Sequence, residues 1–174
     1  MDERTRLLMF PKESDEYETP LWLFNKLDNY FGFTLDPAAS HLSHMTEHYF
    51  TIDDDGLSKP WDNESVFINP PYSKIGTWVD AAAERFLNSG TEVVMLVPAR
   101  TETKYFHGSI WPVAHYVLFL EGRLKFINKV KENGLKPSSA PFPSVVVMYT
   151  YTKLIADDFR DIGVLINLWG DDNF

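Results

Sequence analysis

Two kinds of apolar spacing alternate along this chain. Leu23, Phe24, Leu27, Tyr30 and Phe31 recur at helical intervals behind Thr19-Pro20. That pair places a hydroxyl at a cap and a proline where a first turn needs no donor, and Gly32 marks the stop. Ile75, Trp78, Val79, Ala82 and Phe86 repeat the helical spacing as far as Gly90. Elsewhere the apolar residues are consecutive, at Val66–Ile68, Val93–Val97, Tyr116–Leu120 and Val145–Tyr149, and Phe33-Thr34-Leu35 is a further short strand. Unbroken runs of this length predict strands covered on both faces, as in a parallel sheet. A strand at His48–Ile52, a helix over about 101–111 and a return at Leu124–Ile127 after Gly122 are weaker signals. Lys129–Ala140 reads as a loop, and 153–174 as an amphipathic stretch (Leu154, Ile155, Phe159, Ile162) with a short apolar end. The order predicts an α/β domain with a central, mostly parallel sheet and an antiparallel C-terminal strand. Residues 15–174 form that one domain behind a flexible segment, 1–14.

Composition narrows the chemistry. At 174 residues the chain can bury a core without staples, and it has no cysteine, which excludes disulfides, thiolate metal sites and a cysteine nucleophile. No apolar run approaches a membrane span, and the opening MDERTRLLMFPKESDE is too charged for a signal peptide, so a cytoplasmic protein is expected. The net charge of −9 alone argues against a nucleic-acid partner. Its distribution changes that. Residues 1–62 hold 13 acidic and 5 basic side chains, whereas 97–136 hold 7 basic (Arg100, Lys104, Arg123, Lys125, Lys129, Lys131, Lys136) and 3 acidic. A basic face on an acidic body fits phosphate contacts. The five histidines lack metal-ligand spacing, and no metal is expected.

The candidate chemistry sits where strands end. Parallel sheets bind ligands at the carboxyl ends of their strands. Here Leu35 runs into Asp36, Ile68 into Asn69-Pro70-Pro71-Tyr72, and Val97 into Pro98-Ala99-Arg100. The tetrapeptide suits one task. An exocyclic amine on an aromatic base is a poor nucleophile because its lone pair is delocalised. Two acceptors aimed at its N–H groups hold it and free that pair. The Asn69 side-chain oxygen is one acceptor; the Pro70 carbonyl, followed by a residue with no N–H, is a natural second. Two fixed proline φ angles aim both in advance. Tyr72 offers a ring on which a base can stack, worth roughly 1–3 kcal/mol. No general base is required, since the alkylated nitrogen is acidic; the partner must be an electrophile such as a methyl sulfonium.

With these pieces in order, the chain resembles S-adenosylmethionine-dependent amino-methyltransferases, and within them the phage-type DNA N6-adenine methyltransferase (Dam) family. The likeness runs from about Asp15 to Tyr149. It is carried by DEYETPLWLFNKLDNYFGFTLDPAAS, DDGL with Trp61, NPPYS with Trp78, VVMLVPARTETKYFH, and EGRLKF followed by PFPSVVVMY. The resemblance implies a Rossmann-like methyltransferase fold, S-adenosylmethionine as cofactor, and methyl transfer to N6 of adenine in DNA with the base flipped out. It implies catalytic roles for Asn69, Pro70, Pro71 and Tyr72. Cofactor contacts would come from Thr19, Pro20, Asp36, Pro37, Ala38, Asp54, Asp55 and Asn69. The Asp36 carboxylate would face the cofactor's ammonium, and Asp53 or Asp54 its ribose. DNA contacts would come from Ser73, Arg100, Lys104, Arg123 and Lys125. A methyltransferase acting on RNA or a protein amide, or an inactive decoy keeping the fold, are the alternatives. A glycine-rich loop after the first strand is replaced by Asp36-Pro37-Ala38-Ala39-Ser40, Tyr17 stands where similar sequences often carry tryptophan, and no separate target-recognition domain is visible.

Overall fold

The computed structural model describes residues 17–41, 43–126 and 138–170. The expected N-terminal segment 1–14 and most of the Lys129–Ala140 loop, with Lys129, Lys131 and Lys136, lie outside them. Helix α1 (Leu21–Phe31) has Pro20 itself at the cap position and no side-chain cap, so the Thr19 hydroxyl does not cap it as its sequence suggests; the helix stops where Gly32 turns left-handed at φ 54°, its N–H donating to Asp28 O at 2.8 Å. Strands β1 (Leu35–Asp36) and β2 (His48–Tyr49) are two residues each, shorter than the apolar runs suggest. Strand β3 (Ser65–Ile68) feeds the prolines, a tight turn at Tyr72–Lys74 and helix α2 (Ile75–Ser89). Strand β4 (Glu92–Pro98) follows, then β5 (Tyr116–Leu120), a two-stranded ribbon of β6 (Lys125–Phe126) and β7 (Ser138–Ser139), β8 (Ser144–Tyr149), and β9 (Gly163–Asn167).

Seven strands form one mixed sheet in the order β2-β1-β3-β4-β8-β5-β9. The first four are mutually parallel. Strand β8 inserts antiparallel between β4 and β5, so β5 runs parallel to β4. The C-terminal half thus carries two antiparallel strands where one was expected: β9 also pairs antiparallel, on β5. Its pattern is half-buried and exposed by turns, with Val164 and Ile166 open to solvent. An edge strand of that kind lacks the unbroken burial that makes β4 and β8 legible.

Register places the helices on opposite faces. Phe67, Val94 and Met148 are cross-strand partners and share one face, on which Phe24 of α1 meets Phe67 edge-on at 5.2 Å. Tyr149, the next residue, points to the other face, toward Phe86 of α2 and the Ser109 carbonyl, to which its hydroxyl donates at 2.9 Å. Residues 101–111 are not the helix their spacing suggests. Turns over 101–103 lead into a short helical segment that ends in a π-type turn, Phe106–Ile110. Phe106 and Ile110 alone anchor it inside. Strands β4 and β8 are buried almost end to end, and each such aliphatic side chain contributes roughly 2 kcal/mol of transfer free energy. That slab holds the carboxyl edge of β1, β3 and β4 in place.

Candidate active site

The parallel strands deliver their polar termini to one edge. Asp36 ends β1, and Asn69 follows β3 directly beside it, since Leu35 and Val66 are register partners. Between them opens a cavity of about 600 Å³. Asp36 forms part of its wall and is 5 % exposed. Its Oδ2 accepts from the Met45 N–H at 3.1 Å and its Oδ1 from the Ala38 N–H at 3.3 Å. Burial raises its pKa to about 6; the two amides and His44 only partly offset that. Desolvation thus outweighs the groups that favour the ionised form of this carboxylate.

Asn69 is fixed from behind. Its Nδ2 donates to the Tyr17 carbonyl at 2.5 Å and to Thr19 Oγ1 at 3.1 Å. The acceptor oxygen Oδ1 therefore occupies the other end of an amide that lines the cavity. Pro71 sits at φ −59°, ψ 127°, and its carbonyl is taken by the Lys74 N–H at 3.0 Å, which starts the turn into α2. Pro70, one residue earlier, is left as the carbonyl next to the amide. Tyr72 is buried rather than open. The Tyr17 ring stacks on it at 5.0 Å and 24°, and Phe142 meets its edge at 5.1 Å. Burial, with Tyr17 second, holds the Tyr72 phenol far above its ordinary pKa.

The opposite wall is the loop after β2. Asp54 accepts from the Thr51 N–H at 2.8 Å and from the Thr51 hydroxyl at 3.0 Å, bonds that lower its pKa. It closes the turn, while Asp53, Asp55, Gly56 and Leu57 line the cavity. Gly56 is there by necessity, because a Cβ would lie 1.9 Å from the Pro37 carbonyl oxygen. The loop is braced from outside. Trp61 Nε1 donates to Gly56 O at 3.0 Å, Trp61 stacks on Trp78 at 6.1 Å, and the Arg85 guanidinium lies 3.9 Å over the Trp61 ring while donating to Leu57 O at 2.6 Å.

The cavity therefore gathers Thr19, Asp36, Pro37, Ala38, Asp55, Asn69, Pro71 and Ser73 from the expected site residues. Pro70 and Tyr72 are buried beside the lining residues Asn69 and Pro71, and Pro20 and Asp54 do not line the cavity. Arg100 and Lys104 follow β4, and Arg123 and Lys125 follow β5, along the same edge of the sheet but outside the cavity. Arg123 and Lys125 border a second groove with Trp22, which is 51 % exposed. Three participants escape a reading of residue types. Tyr17 acts through its carbonyl, Met45 through its N–H, and Glu18 joins the lining from the segment before α1. Main-chain donors and acceptors carry no signature in sequence; the tryptophan-like position of Tyr17 was the one available hint. Among the described residues, no group of three or more His, Asp or Glu side chains is placed to hold a metal ion, and no helix is long and apolar enough to cross a membrane.

Comparison of the sequence with known proteins identifies a family. Residues 9–160 match the family model described as DNA N-6-adenine-methyltransferase (Dam). A DNA N-6-adenine-methyltransferase of Haemophilus phage HP1 (strain HP1c1) is 27% identical over 139 residues, 79% of each chain. A second, of Escherichia phage T1, is 31% identical over 94 residues, 53% of this chain and 39% of that protein. The family match covers the whole carboxyl edge, from the residues ahead of α1 to those beyond β8, and on that span the chain belongs to the DNA N-6-adenine-methyltransferase (Dam) family.

Proposed function

We propose that this chain transfers a methyl group to the N6 amine of adenine in DNA at the cavity between Asp36 and Asn69, with S-adenosylmethionine as the donor. The family carries the reaction class. The observation that supports the placement is the orientation of Asn69: both its N–H bonds are spent on Tyr17 and Thr19, which directs its oxygen to the cavity. The cavity fits the donor in kind. A volume of about 600 Å³ lies within the range of cofactor sites. Asp36, a buried carboxylate in the wall, suits an ammonium group, and Ile52, Leu57 and Trp78 supply apolar wall. Bound there, the donor would supply an electrophilic methyl group.

The protein's own part is positioning. Asn69 Oδ1 and the Pro70 carbonyl accept the two N–H bonds of the amine, pyramidalise it and aim its lone pair into the cavity. The base reaches them only after leaving the duplex. It stacks against Tyr72, which requires the Tyr17 ring to yield the face it covers. The proton released after transfer passes to water. Arg100, Lys104, Arg123 and Lys125 meet the flanking phosphates along the exposed rim. The mixed seven-stranded sheet supports reading the fold as a Rossmann-like methyltransferase, with the cavity at the ends of β1 and β3 and the basic rim beyond the ends of β4 and β5.

Sequencing methylated adenines in a plasmid from cells expressing the protein tests this directly. N6-methyladenine in the plasmid, lost with Asn69→Ala, is the expected result. Labelled methyl groups appearing in RNA or protein and not in DNA would overturn it.

A further inference from the structure

A terminal amide can sit either way round. Rotating the Asn69 side chain by half a turn exchanges Oδ1 and Nδ2 with almost no change in shape, yet only one orientation presents an acceptor to an incoming amine. The two prolines restrain the main chain, not this rotation. The choice is made by what lies behind the amide, namely the Tyr17 carbonyl at 2.5 Å and Thr19 Oγ1 at 3.1 Å. A carbonyl oxygen has no proton to give. With the amide reversed, two lone-pair oxygens would face each other at hydrogen-bonding distance.

We infer that the Tyr17 carbonyl and the Thr19 hydroxyl form an orientation lock on Asn69, that Thr19 is a positioning residue for the transfer, and that this chain requires an amide rather than a carboxylate at position 69. The inference rests on the function proposed above. It assigns Thr19 differently from the resemblance, which places it on the cofactor. Thr19 is 7 % exposed, so its hydroxyl has little solvent to turn to. A carboxylate at 69 would turn one oxygen onto the Tyr17 carbonyl, a clash relieved only by protonation. The other ionisable groups lining the cavity are Glu18, Asp36, His41, Asp53, Asp55 and Lys74, with the phenols of Tyr17 and, buried beside the lining, Tyr72. Four of these are acids, and they further disfavour a new negative charge.

Thr19→Val keeps the shape and removes the acceptor. Expected is a fall of about ten-fold in kcat, with S-adenosylmethionine affinity by calorimetry within about three-fold of wild type, and recovery in Thr19→Ser. Asn69→Asp should lose turnover relative to wild type as pH rises from 6 to 9, the ratio cancelling titrations common to both. A readout independent of turnover keeps the lock separable from the reaction. In nitrogen-labelled protein the Asn69 side-chain N–H pair should exchange slowly in wild type and Thr19→Ser, and fast in Thr19→Val, with thermal melts confirming that each variant folds. Slow exchange in Thr19→Val, wild-type kcat in that variant, a loss confined to cofactor affinity, or a flat pH ratio for Asn69→Asp would each overturn the lock. A wild-type protein that shows the exchange pattern but methylates no DNA would sink the proposed function and leave the lock standing.

Discussion

The carboxyl edge of the sheet holds two regions built on different terms. Around β1 and β3 the polar groups are positioned by main chain. Two backbone N–H groups hold Asp36, a backbone carbonyl and a buried hydroxyl hold Asn69, and Gly56 lets its loop close against the Pro37 carbonyl. Beyond β4 and β5 the polar groups are side chains at the surface. Lys104, Arg123 and Lys125 are exposed, and the Arg123 guanidinium reaches the Ala140 carbonyl only at 3.4 Å. The difference follows what each region must do. Placing an amine before an electrophile tolerates errors well below an ångström, whereas neutralising phosphate needs charge in roughly the right place. Rigid geometry on one side and adjustable charge on the other suit the roles proposed for the two regions.

Breaking the rigid side should show the largest effects. Asn69→Ala is expected to lower methyl transfer by at least about a hundred-fold while cofactor affinity stays near wild type; labelled-methyl assays and calorimetry read the two separately. Comparable turnover would detach the amide from the chemistry. Next comes Gly56→Ala, whose Cβ collides with the Pro37 carbonyl. The loop must shift, and we expect cofactor affinity to drop about ten-fold and the melting temperature by about 5 °C.

Asp36 sharpens the comparison through pH. Its folded pKa, about 6, lies above the ordinary 3.8. The sign is therefore the reverse of a salt-bridged carboxylate. The unliganded fold carries a penalty above pH 6 that is relieved as pH falls from 6 toward 3.8. A bound ammonium favours the ionised form, so cofactor affinity should rise with pH through about 6 and level off above it. Titration calorimetry from pH 5 to 8 would show this, with Asp36→Asn weak and flat across the range. A wild-type profile that is flat would remove the carboxylate from the ammonium site.

The adjustable side should respond least. Arg100→Ala and Arg123→Ala are each expected to weaken DNA binding a few-fold and to reduce the slope of log affinity against log salt by about one, leaving cofactor affinity alone. An unchanged slope in both would move the phosphate contacts elsewhere.

Some elements were legible because their physics is local. Gly32 ends α1, the unbroken runs at Val93–Val97 and Val145–Tyr149 are strands, and Asn69 to Tyr72 stand at a strand end as their order implies, whereas the hydroxyl cap read from Thr19 is not made, because Thr19 Oγ1 is taken by Asn69. Others failed for identifiable reasons. Strand β9 sits at an edge, where burial alternates although Val164, Leu165 and Ile166 are all apolar, so the sequence shows no alternation to mark it. Residues 101–111 have helical spacing, but only Phe106 and Ile110 find the interior. Asp54 looked like a ligand and serves its own turn, because a short acidic side chain beside Thr51 finds a backbone donor sooner than a distant partner. Tyr72 looked like an open platform; Tyr17, fifty-five residues earlier, covers it.

Residue order alone determined the α/β class, the strand-end location of Asp36 and Asn69, and the type of chemistry an amide, two prolines and a ring can perform, since each depends on groups adjacent in the chain. Only the tertiary structure decided which way the Asn69 amide points, how deeply Asp36 is buried, and which ring rests on Tyr72. Those outcomes depend on main-chain carbonyls, N–H groups and burial brought together from distant segments, and such groups are identical at almost every position until the fold puts them somewhere.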